Sequence, residues 1–557
     1  MQRASVLSSL LYALKLLLEA SDMPKSLRYL LVRLRMERDK LLDWGVLADL
    51  SEDERTLSSG LQLHKHVVND TLQEIKIVLV ELTKLSDKHN TEMVGEEYAE
   101  RAVEEDAEVT SLHSNLPLHK KAVDFVAKTR RFPGRIRWAS FDKKDFETLL
   151  SKLTTLNKSM TYLFERHQRE RQLQLQESSY MGILHANNKL DDLLALMASV
   201  GNLEEGKHLQ QLTRFKALNV AVETGQTGIL ELSDASKSLL EFRKLSLGEE
   251  EEEAEEPPAR SPGEYEQKPV WVEWKYYEPI GEDGKAPGFV PDRISKLARL
   301  LQDDNKPKEC HIPRCLGYVH DQDSSRYGFV FQSLADAGDA LPLSLFDLLL
   351  SMPKPSLTSR LAAARAIATS LWYLHATNWL HKGLRSENVV FKIPDPKTPS
   401  TVEPFLVGFE YSRPADPSEI TEMPSENRLH DLYRHPATQF DIPRDGRQGF
   451  RKTYDIYSLG VVLYEIGMWK PVHAILGIQL EGGIRSAAVK GAKAALLGKE
   501  NLQALEAEVG GIFTAAAQSC LAGDFVPSSE GDHVGEDAQL QTEFGERVVR
   551  KLGSVTV

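Results

Sequence analysis

The sequence predicts two folded parts, an N-terminal all-α helical bundle and a C-terminal α+β domain. Apolar residues recur at helical spacing through most of the first half, and strand-like alternation is nearly absent before residue 265. An acidic run at 249–256, followed by Pro257 and Pro258, interrupts this pattern. Such a run indicates an extended linker, because like charges repel one another and cannot pack. After it, short runs rich in aromatic and β-branched residues alternate with helical patterns, which predicts an α+β domain.

We therefore divide the chain into a helical bundle over residues 1–240, an acidic disordered linker over 241–264 and a further domain over 265–557. Leucines from Leu30 to Leu42 mark a helix that ends near Trp44, and leucines from Leu149 to Leu163 mark another. Long helices with short connections favour an antiparallel bundle. The length of 557 residues also exceeds what one hydrophobic core usually supports.

Composition excludes several classes of protein. A net charge of -14 argues against nucleic-acid binding, which needs a basic surface. The three cysteines cannot build a disulfide framework, and Cys310 and Cys315 lack the further ligands that a zinc site requires. No apolar run is long enough to span a bilayer. The apolar stretch 5–18 indicates an amphipathic helix, with a secretory signal as the alternative. We expect a cytoplasmic protein.

Five short strings in the C-terminal domain follow one another in a familiar order. They are W-L-H-K-G-L-R-S-E-N-V-V-F at 379–391, L-V-G-F-E-Y-S-R at 406–413, Y-R-H-P-A at 433–437, Y-D-I-Y-S-L-G-V-V-L-Y-E at 454–465 and C-L-A-G-D at 520–524. They resemble the catalytic loop, the D-F-G segment, the end of the activation segment, the anchoring helix of the large lobe and a C-L-x-x-D string of protein kinases. The resemblance implies a protein-kinase-like fold. Its N-lobe would be reduced, because the acidic linker occupies the place of the glycine-rich loop.

The same resemblance assigns residue roles. Structural motif positions fall on His381, Arg385, Phe409, Pro436, Asp455 and Gly460. Lys275, in V-E-W-K, resembles the lysine that contacts the phosphates, and Asn388 resembles the metal-binding asparagine, so these two would form a vestigial nucleotide site. The alternative, non-functional interpretations are that Lys275 is a solvated strand lysine and that Asn388 braces its own loop.

Two glycines stand where the chemistry needs aspartates. Gly383 takes the place of the catalytic base, and Gly408 takes the place of the metal-binding aspartate. Loss of a positioned general base alone costs about 10²–10⁴ in rate. No catalytic residue is therefore intact, and we expect a pseudokinase with no resident cofactor or metal and with weak ATP binding at most. Glu410 is a less favoured candidate for a displaced metal ligand.

A second resemblance lies in the first half of the chain. The strings L-V-R-L-R-M-E-R-D-K-L-L-D-W-G at 31–45 and R-I-R-W-A-S-F-D-K-K-D-F at 135–146 resemble the fungal HeLo domain, also called the prion-inhibition and propagation domain. The resemblance covers about residues 5–235. It implies a helical effector, and its pairing with a pseudokinase resembles fungal heterokaryon-incompatibility and cell-death proteins.

A basic cluster in the bundle suggests a lipid contact. Its members are Lys120, Lys121, Lys128, Arg130, Arg131, Arg135 and Arg137. Basic residues near an anionic membrane each contribute on the order of 1 kcal/mol to binding. The alternative interpretation is a solvated loop whose charges offset the acidic linker.

The resulting hypothesis is a signalling pseudokinase coupled to a helical effector bundle. We expect its partners to be an upstream protein sensor and, on activation, an anionic membrane surface; homo-oligomerisation is left open. One alternative is an atypical kinase that retains ATP binding and weak phosphotransfer. Another is a non-enzymatic adaptor.

Overall fold

A computed structural model describes the two folded parts of the chain. The described residues are 28–48, 66–68, 70–75, 77–78, 143–163, 176–177, 180–185, 187–200, 207–226, 238–248, 258–280, 286–334, 341–392, 403–414, 426–440, 449–481, 483–525 and 533–555. They form two compact units, residues 1–213 with 529–542 and residues 214–528 with 543–557.

The described part of the first unit is helical, as the sequence predicts. Helix α1 (Arg28–Leu47) packs against α2 (Lys143–Thr161) and α3 (Leu190–Val200). Trp44, the conspicuous tryptophan at the end of α1, is buried, and its indole N–H donates to the carbonyl of Met160 at 3.1 Å. The amide of Asn157 donates to the Glu37 carboxylate at 2.7 Å. These two contacts join α1 to α2 by polar bonds as well as by leucine packing.

The last helix before the sheet, α4 (Lys207–Thr224), contains the division between the units. Its residues from Arg214 onward belong to the second unit. Three of its side chains are bonded there: Arg214 to Asp303, Asn219 to the carbonyl of Thr377, and Glu223 to Lys296.

The second unit carries a five-stranded antiparallel sheet in the order β1-β2-β3-β5-β4. Its strands are β1 (Leu245–Leu247), β2 (Arg260–Tyr265), β3 (Lys268–Tyr276), β4 (Cys315–Asp321) and β5 (Arg326–Gln332), and α5 (Phe289–Leu301) connects β3 to β4. Alternation along β3 places Val270, Val272 and Trp274 in the sheet's own apolar core. The opposite face of β3 therefore carries Glu273 and Lys275.

A segment that we call the strap, Ser238–Gly248, curls this sheet. Near its start the strap bonds to β4, through Leu240 N to Tyr318 O and Tyr318 N to Ser238 O, both 2.8 Å. Near its end it becomes β1 and pairs with β2. Because only a few residues separate these two pairings, the opposite edges of the sheet must lie close together, and the sheet closes on itself like a small barrel.

Helices dominate the rest of the second unit, as the sequence predicts. The order is β6 (Leu343–Ser344), α6 (Leu345–Ser351), α7 (Leu357–Ala376), β7 (Trp379–Leu380), β8 (Val389–Lys392), β9 (Glu403–Leu406), β10 (Arg413–Pro414), α8 (Arg428–Asp431), α9 (Lys452–Met468), α10 (Val472–Ile475), α11 (Ser486–Leu496), α12 (Lys499–Val509) and α13 (Gly511–Ala522). Helix α14 (His533–Phe544) follows in sequence, and its residues up to Thr542 belong to the first unit. A π-helical turn (Gly545–Arg550) and α15 (Lys551–Ser554) end the second unit. Helix α9 is buried along almost its whole length.

The domain limits differ from the predicted ones. The predicted linker, 241–264, contains β1 and most of β2, which pair in the five-stranded sheet. The acidic run itself lies outside the described residues. The second unit begins within α4 rather than at residue 265, because the side chains of α4 from Arg214 onward bond to residues of that unit. Residues 529–542, predicted to belong to the C-terminal domain, belong to the first unit.

Candidate functional site

The loop after α7 is held by a buried aspartate. Asp455, in the first turn of α9, accepts the backbone N–H groups of His381 and Lys382, each at 2.8 Å. The His381 ring donates to the carbonyl of Val407 at 3.0 Å. Burial lowers the pKa of His381, which keeps the imidazole neutral. His381 and Asp455 thus fix the backbone that leads to Gly383.

Asn388 fills the space between the two glycines. Its amide donates to the carbonyl of Gly383 at 2.7 Å. Gly408 has a positive φ of +80°, and a Cβ added there would overlap the Asn388 amide. A Cβ added at Gly383 would lie 3.1 Å from the carbonyl oxygen of Gly408. The loop and the Gly408 segment therefore approach more closely than two aspartates would allow.

A partly buried ion pair from the sheet, Arg260 with Glu273, completes this arrangement. The guanidinium of Arg260 on β2 donates to Glu273 Oε1, to the carbonyl of Glu387 and to Asn388 Oδ1, each at 2.7 Å. The other oxygen of Glu273 accepts the backbone N–H of Gly408 at 2.9 Å. Arg260 and Glu273 are register partners, so they lie on the same face of the sheet.

Lys275 lies two residues further along β3, on the same face as Glu273. Its ammonium group is 3.7 Å from the ring centroid of Tyr411, a cation–π geometry, and the side chain is buried. Helix α5 contains no glutamate. An aromatic ring from the Gly408 segment therefore contacts the ammonium group of Lys275.

A charged cluster borders the loop. Arg385 donates to Glu387 at 2.6 Å, and His430 lies 3.0 Å from the same carboxylate oxygen. Burial alone would raise the pKa of Glu387, but the hydrogen bond from His430 and the charge of Arg385 lower it to about 2. Burial alone would lower the pKa of Arg385, but Glu410 and Glu387 raise it. The charge of Glu410 thus acts on Arg385.

The other predicted structural residues lie in packed positions. The ring of Phe409 is 4.9 Å from that of His381. Pro436 begins a short 3-10 turn, Pro436–Thr438. A Cβ at Gly460 would lie 2.9 Å from the Cys520 side chain, so this glycine lets α9 and α13 pack closely. The strings that contain Gly460 and Cys520 are thereby brought into contact.

Sequence reasoning missed Arg260, Glu273 and Tyr411. Arg260 was assigned to the linker, and its partners in the loop are more than a hundred residues away in sequence. The sequence did contain one signal, which was Glu273 in V-E-W-K. A carboxylate in a strand that is buried on both faces requires a nearby cation. The basic cluster from Lys120 to Arg137 and the apolar stretch 5–18 lie outside the described residues.

No grouping of three or more His, Cys, Asp or Glu side chains that could hold a metal occurs among the described residues. The oxygens closest to a metal-site arrangement, on Glu273 and Asn388, already accept hydrogen bonds from Arg260. In the described part of the chain, no helix combines the length and apolar character needed to cross a membrane.

Comparison with known proteins finds a similarity in the N-terminal region. None of the curated proteins matches the chain. The family model that matches is HeLo, described as prion-inhibition and propagation, over residues 3–196. This match agrees with the helical character of the described first unit. It covers less than half of the chain and ends before α4, so it supports a HeLo-like N-terminal region and does not extend to the sheet-bearing unit.

Proposed function

We propose that the second unit is a catalytically silent, protein-kinase-like module that regulates a HeLo-like effector bundle in fungal non-self recognition or regulated cell death. The order of its elements supports the kinase likeness. Lys275 lies on the third strand, a helix follows before the fourth, and the long helix α7 precedes the loop at His381. In protein kinases the phosphate-binding lysine also lies on the third strand.

The observation that carries catalytic silence is the packing of Asn388 against Gly383 and Gly408. Phosphoryl transfer needs an acceptor for the hydroxyl proton and a carboxylate for magnesium. Here the space for the second carboxylate contains the Asn388 amide, and the backbone N–H of Gly408 is bonded to Glu273. The site is filled by its own side chains, so restoring an aspartate would also require Asn388 to move.

The contact of Lys275 supports weak nucleotide binding at most. The lysine would have to leave the face of Tyr411 to reach a phosphate group. A buried cation–π contact contributes about 2 kcal/mol or more. Any nucleotide must offset that loss without help from a magnesium-binding aspartate.

The test is phosphotransfer by the purified full chain, compared with Lys275→Met and with an active protein kinase as the positive control. We expect wild type and Lys275→Met to be equally inactive, and the double variant Gly383→Asp/Gly408→Asp to remain inactive because of the overlap with Asn388. Wild-type activity clearly above that of Lys275→Met would instead support the atypical kinase.

A thermal-shift measurement with ATP, with and without magnesium, accompanies the activity assay. A ligand that binds only the folded state must raise its melting temperature. We expect no magnesium-dependent shift. If neither nucleotide nor activity is found, the regulatory and adaptor hypotheses are separated by the vesicle experiment described in the Discussion.

A further inference from the structure

We propose that Arg260 is the built-in cation of this site and holds the sheet, the Gly383–Asn388 loop and the Gly408 segment together without metal or nucleotide. The inference rests on the proposed kinase-like architecture for its comparison with a magnesium site. Its geometry is independent of that likeness. One guanidinium donates to a carboxylate, a backbone carbonyl and a side-chain amide oxygen, which come from β3 and from the loop.

The charge of Glu273 makes a cation necessary. Glu273 is 3% exposed and Asn388 is 2% exposed, so water is largely excluded from both. A buried carboxylate without a cation is strongly destabilising. Arg260 supplies the charge, and the planar fork of a guanidinium lets one group reach several oxygens, whereas a lysine ammonium would act as a point charge.

The same carboxylate transmits the effect of Arg260 to the Gly408 segment. Glu273 Oε1 accepts from Arg260, and Oε2 accepts from the backbone N–H of Gly408. Two hydrogen bonds of one carboxylate therefore connect β2 to the segment that would hold the metal in an active kinase. Removing Arg260 should loosen both the loop and the Gly408 segment.

The oxygens bound by Arg260 are those that a divalent cation would need. Magnesium and calcium take carboxylate, amide and carbonyl oxygens as ligands. In the wild type these oxygens are engaged, so a divalent cation would have to displace the guanidinium. In Arg260→Ala the oxygens of Glu273, Asn388 and Glu387 would lose the guanidinium that they share.

The experiment measures melting temperatures of the full chain in EDTA and in millimolar magnesium, calcium or manganese, without nucleotide. The variants are Arg260→Ala, Arg260→Lys and the matched control Arg243→Ala, whose side chain is 83% exposed. We expect Arg260→Ala to melt several degrees lower and to recover part of that loss with a divalent cation. Wild type and Arg243→Ala should not respond, and Arg260→Lys should lie between wild type and Arg260→Ala.

A second variant keeps the proposal testable if Arg260→Ala folds poorly. Glu273→Gln removes the charge that Arg260 neutralises, so the double variant Arg260→Ala/Glu273→Gln should be more stable than Arg260→Ala and should not respond to divalent cations. An Arg260→Ala protein as stable as Arg243→Ala would overturn the proposal. So would a destabilised Arg260→Ala that neither divalent cations nor Glu273→Gln improves. Because no nucleotide is present, these outcomes are separate from the phosphotransfer test.

Discussion

At the scale of single residues, Glu465 is an acid held in its neutral form inside α9. It is fully buried, and one carboxyl oxygen accepts from the Tyr433 hydroxyl and from Val472 N, both at 2.7 Å. Its other oxygen has no hydrogen-bond partner among the described residues. Burial raises the pKa of Glu465 to about 8, so the group carries a proton at neutral pH.

This proton makes the stability of the protein depend on pH. The folded state holds it up to about pH 8, whereas the unfolded chain releases it near the ordinary value of 4.5. Because the native state then binds more protons than the unfolded state, the free energy of unfolding falls as pH rises between these values. The total effect is on the order of a few kcal/mol, since one pKa unit corresponds to about 1.4 kcal/mol.

Glu465→Gln should remove that dependence. The amide oxygen can accept the same two hydrogen bonds, and the side chain stays neutral at all pH values. We expect melting temperatures measured from pH 5.5 to 9 to fall less steeply for Glu465→Gln than for wild type, with the largest gain for the variant at the alkaline end. The control is Glu506→Gln, which changes an exposed glutamate on α12. Parallel curves for wild type and Glu465→Gln would contradict the assignment.

Single residues of the site could be named from the sequence only where a family motif marks them. The kinase resemblance marks His381 and Asp455 as structural positions, and in the structure Asp455 accepts the backbone N–H of His381 while the His381 ring bonds to the carbonyl of Val407. The sequence also leaves open that Asn388 braces its loop, and it does bond within the loop. Arg260 could not be placed, because its function depends on strand register and on two backbone segments brought together by the fold.

At the scale of elements, the strap and β2 explain why the predicted linker was too long. Strand β2 contains Pro262 and Gly263, residues that normally argue against a strand, and β1 has only three residues. Periodicity cannot reveal such short elements beside a strongly acidic run. Gly263 is needed for the pairing, because a Cβ there would lie 2.5 Å from the carbonyl oxygen of Ser246. The leucine-rich helix predicted to end near Trp44, in contrast, is α1 (Arg28–Leu47).

Gly317 controls whether the strap can close the sheet. It lies at a bulge in β4 with a φ of +147°, and a Cβ there would overlap the carbonyl of Ser238. The side chain of Gln302 also connects the strap to β4. It accepts a hydrogen bond from the Ser238 hydroxyl at 2.6 Å and donates one to the carbonyl of Leu316 at 2.5 Å. Any side chain at 317 should therefore separate the strap from β4.

We expect Gly317→Ala to lower the free energy of unfolding by about 2 kcal/mol or more, since overpacking costs about 1–3 kcal/mol and the backbone conformation adds strain. The matched control is Gly491→Ala. Gly491 lies within α11 with no atom close to an added Cβ, so alanine should stabilise the protein by up to about 1 kcal/mol. Urea denaturation of both variants measures the two effects. Equal stabilities for Gly317→Ala and wild type would show that the strap does not close the sheet in solution.

At the scale of the whole molecule, α4 is the helix that contains the boundary between the two units. The helix begins among residues of the first unit, and its later side chains are bonded in the second. Arg214 makes two hydrogen bonds to Asp303, at 2.6 and 2.7 Å, and Asn219 donates to the carbonyl of Thr377 at 3.0 Å. A protein truncated near residue 245 would lack Asp303 and Thr377 and could not form these bonds. A truncated bundle is therefore a poor test of the proposed regulation. Point variants in α4 weaken the same connection in the full chain.

The last prediction is that Arg214→Ala/Asn219→Ala in the full chain binds anionic vesicles better than wild type. Loss of a partly buried ion pair and a buried hydrogen bond should weaken the packing of α4 within the second unit by about 2–4 kcal/mol, and under the proposed function this favours the active state of the bundle. We expect the active bundle to bind through the basic residues between Lys120 and Arg137 together with the apolar stretch 5–18, because stable membrane attachment usually takes two such signals.

Co-sedimentation with phosphatidylserine vesicles measures this binding, with Arg243→Ala as the control for a lost surface charge. We expect more of the α4 variant than of wild type in the pellet at low salt. High salt should reverse the gain, because exposed charges are screened over about 8 Å at physiological ionic strength. Adding Lys120→Gln, Lys121→Gln and Lys128→Gln should also abolish it, which distinguishes electrostatic attachment from aggregation of a loosened protein. If the α4 variant is folded and stays in the supernatant at low salt, the module does not gate membrane binding through α4, and the adaptor hypothesis becomes the better one.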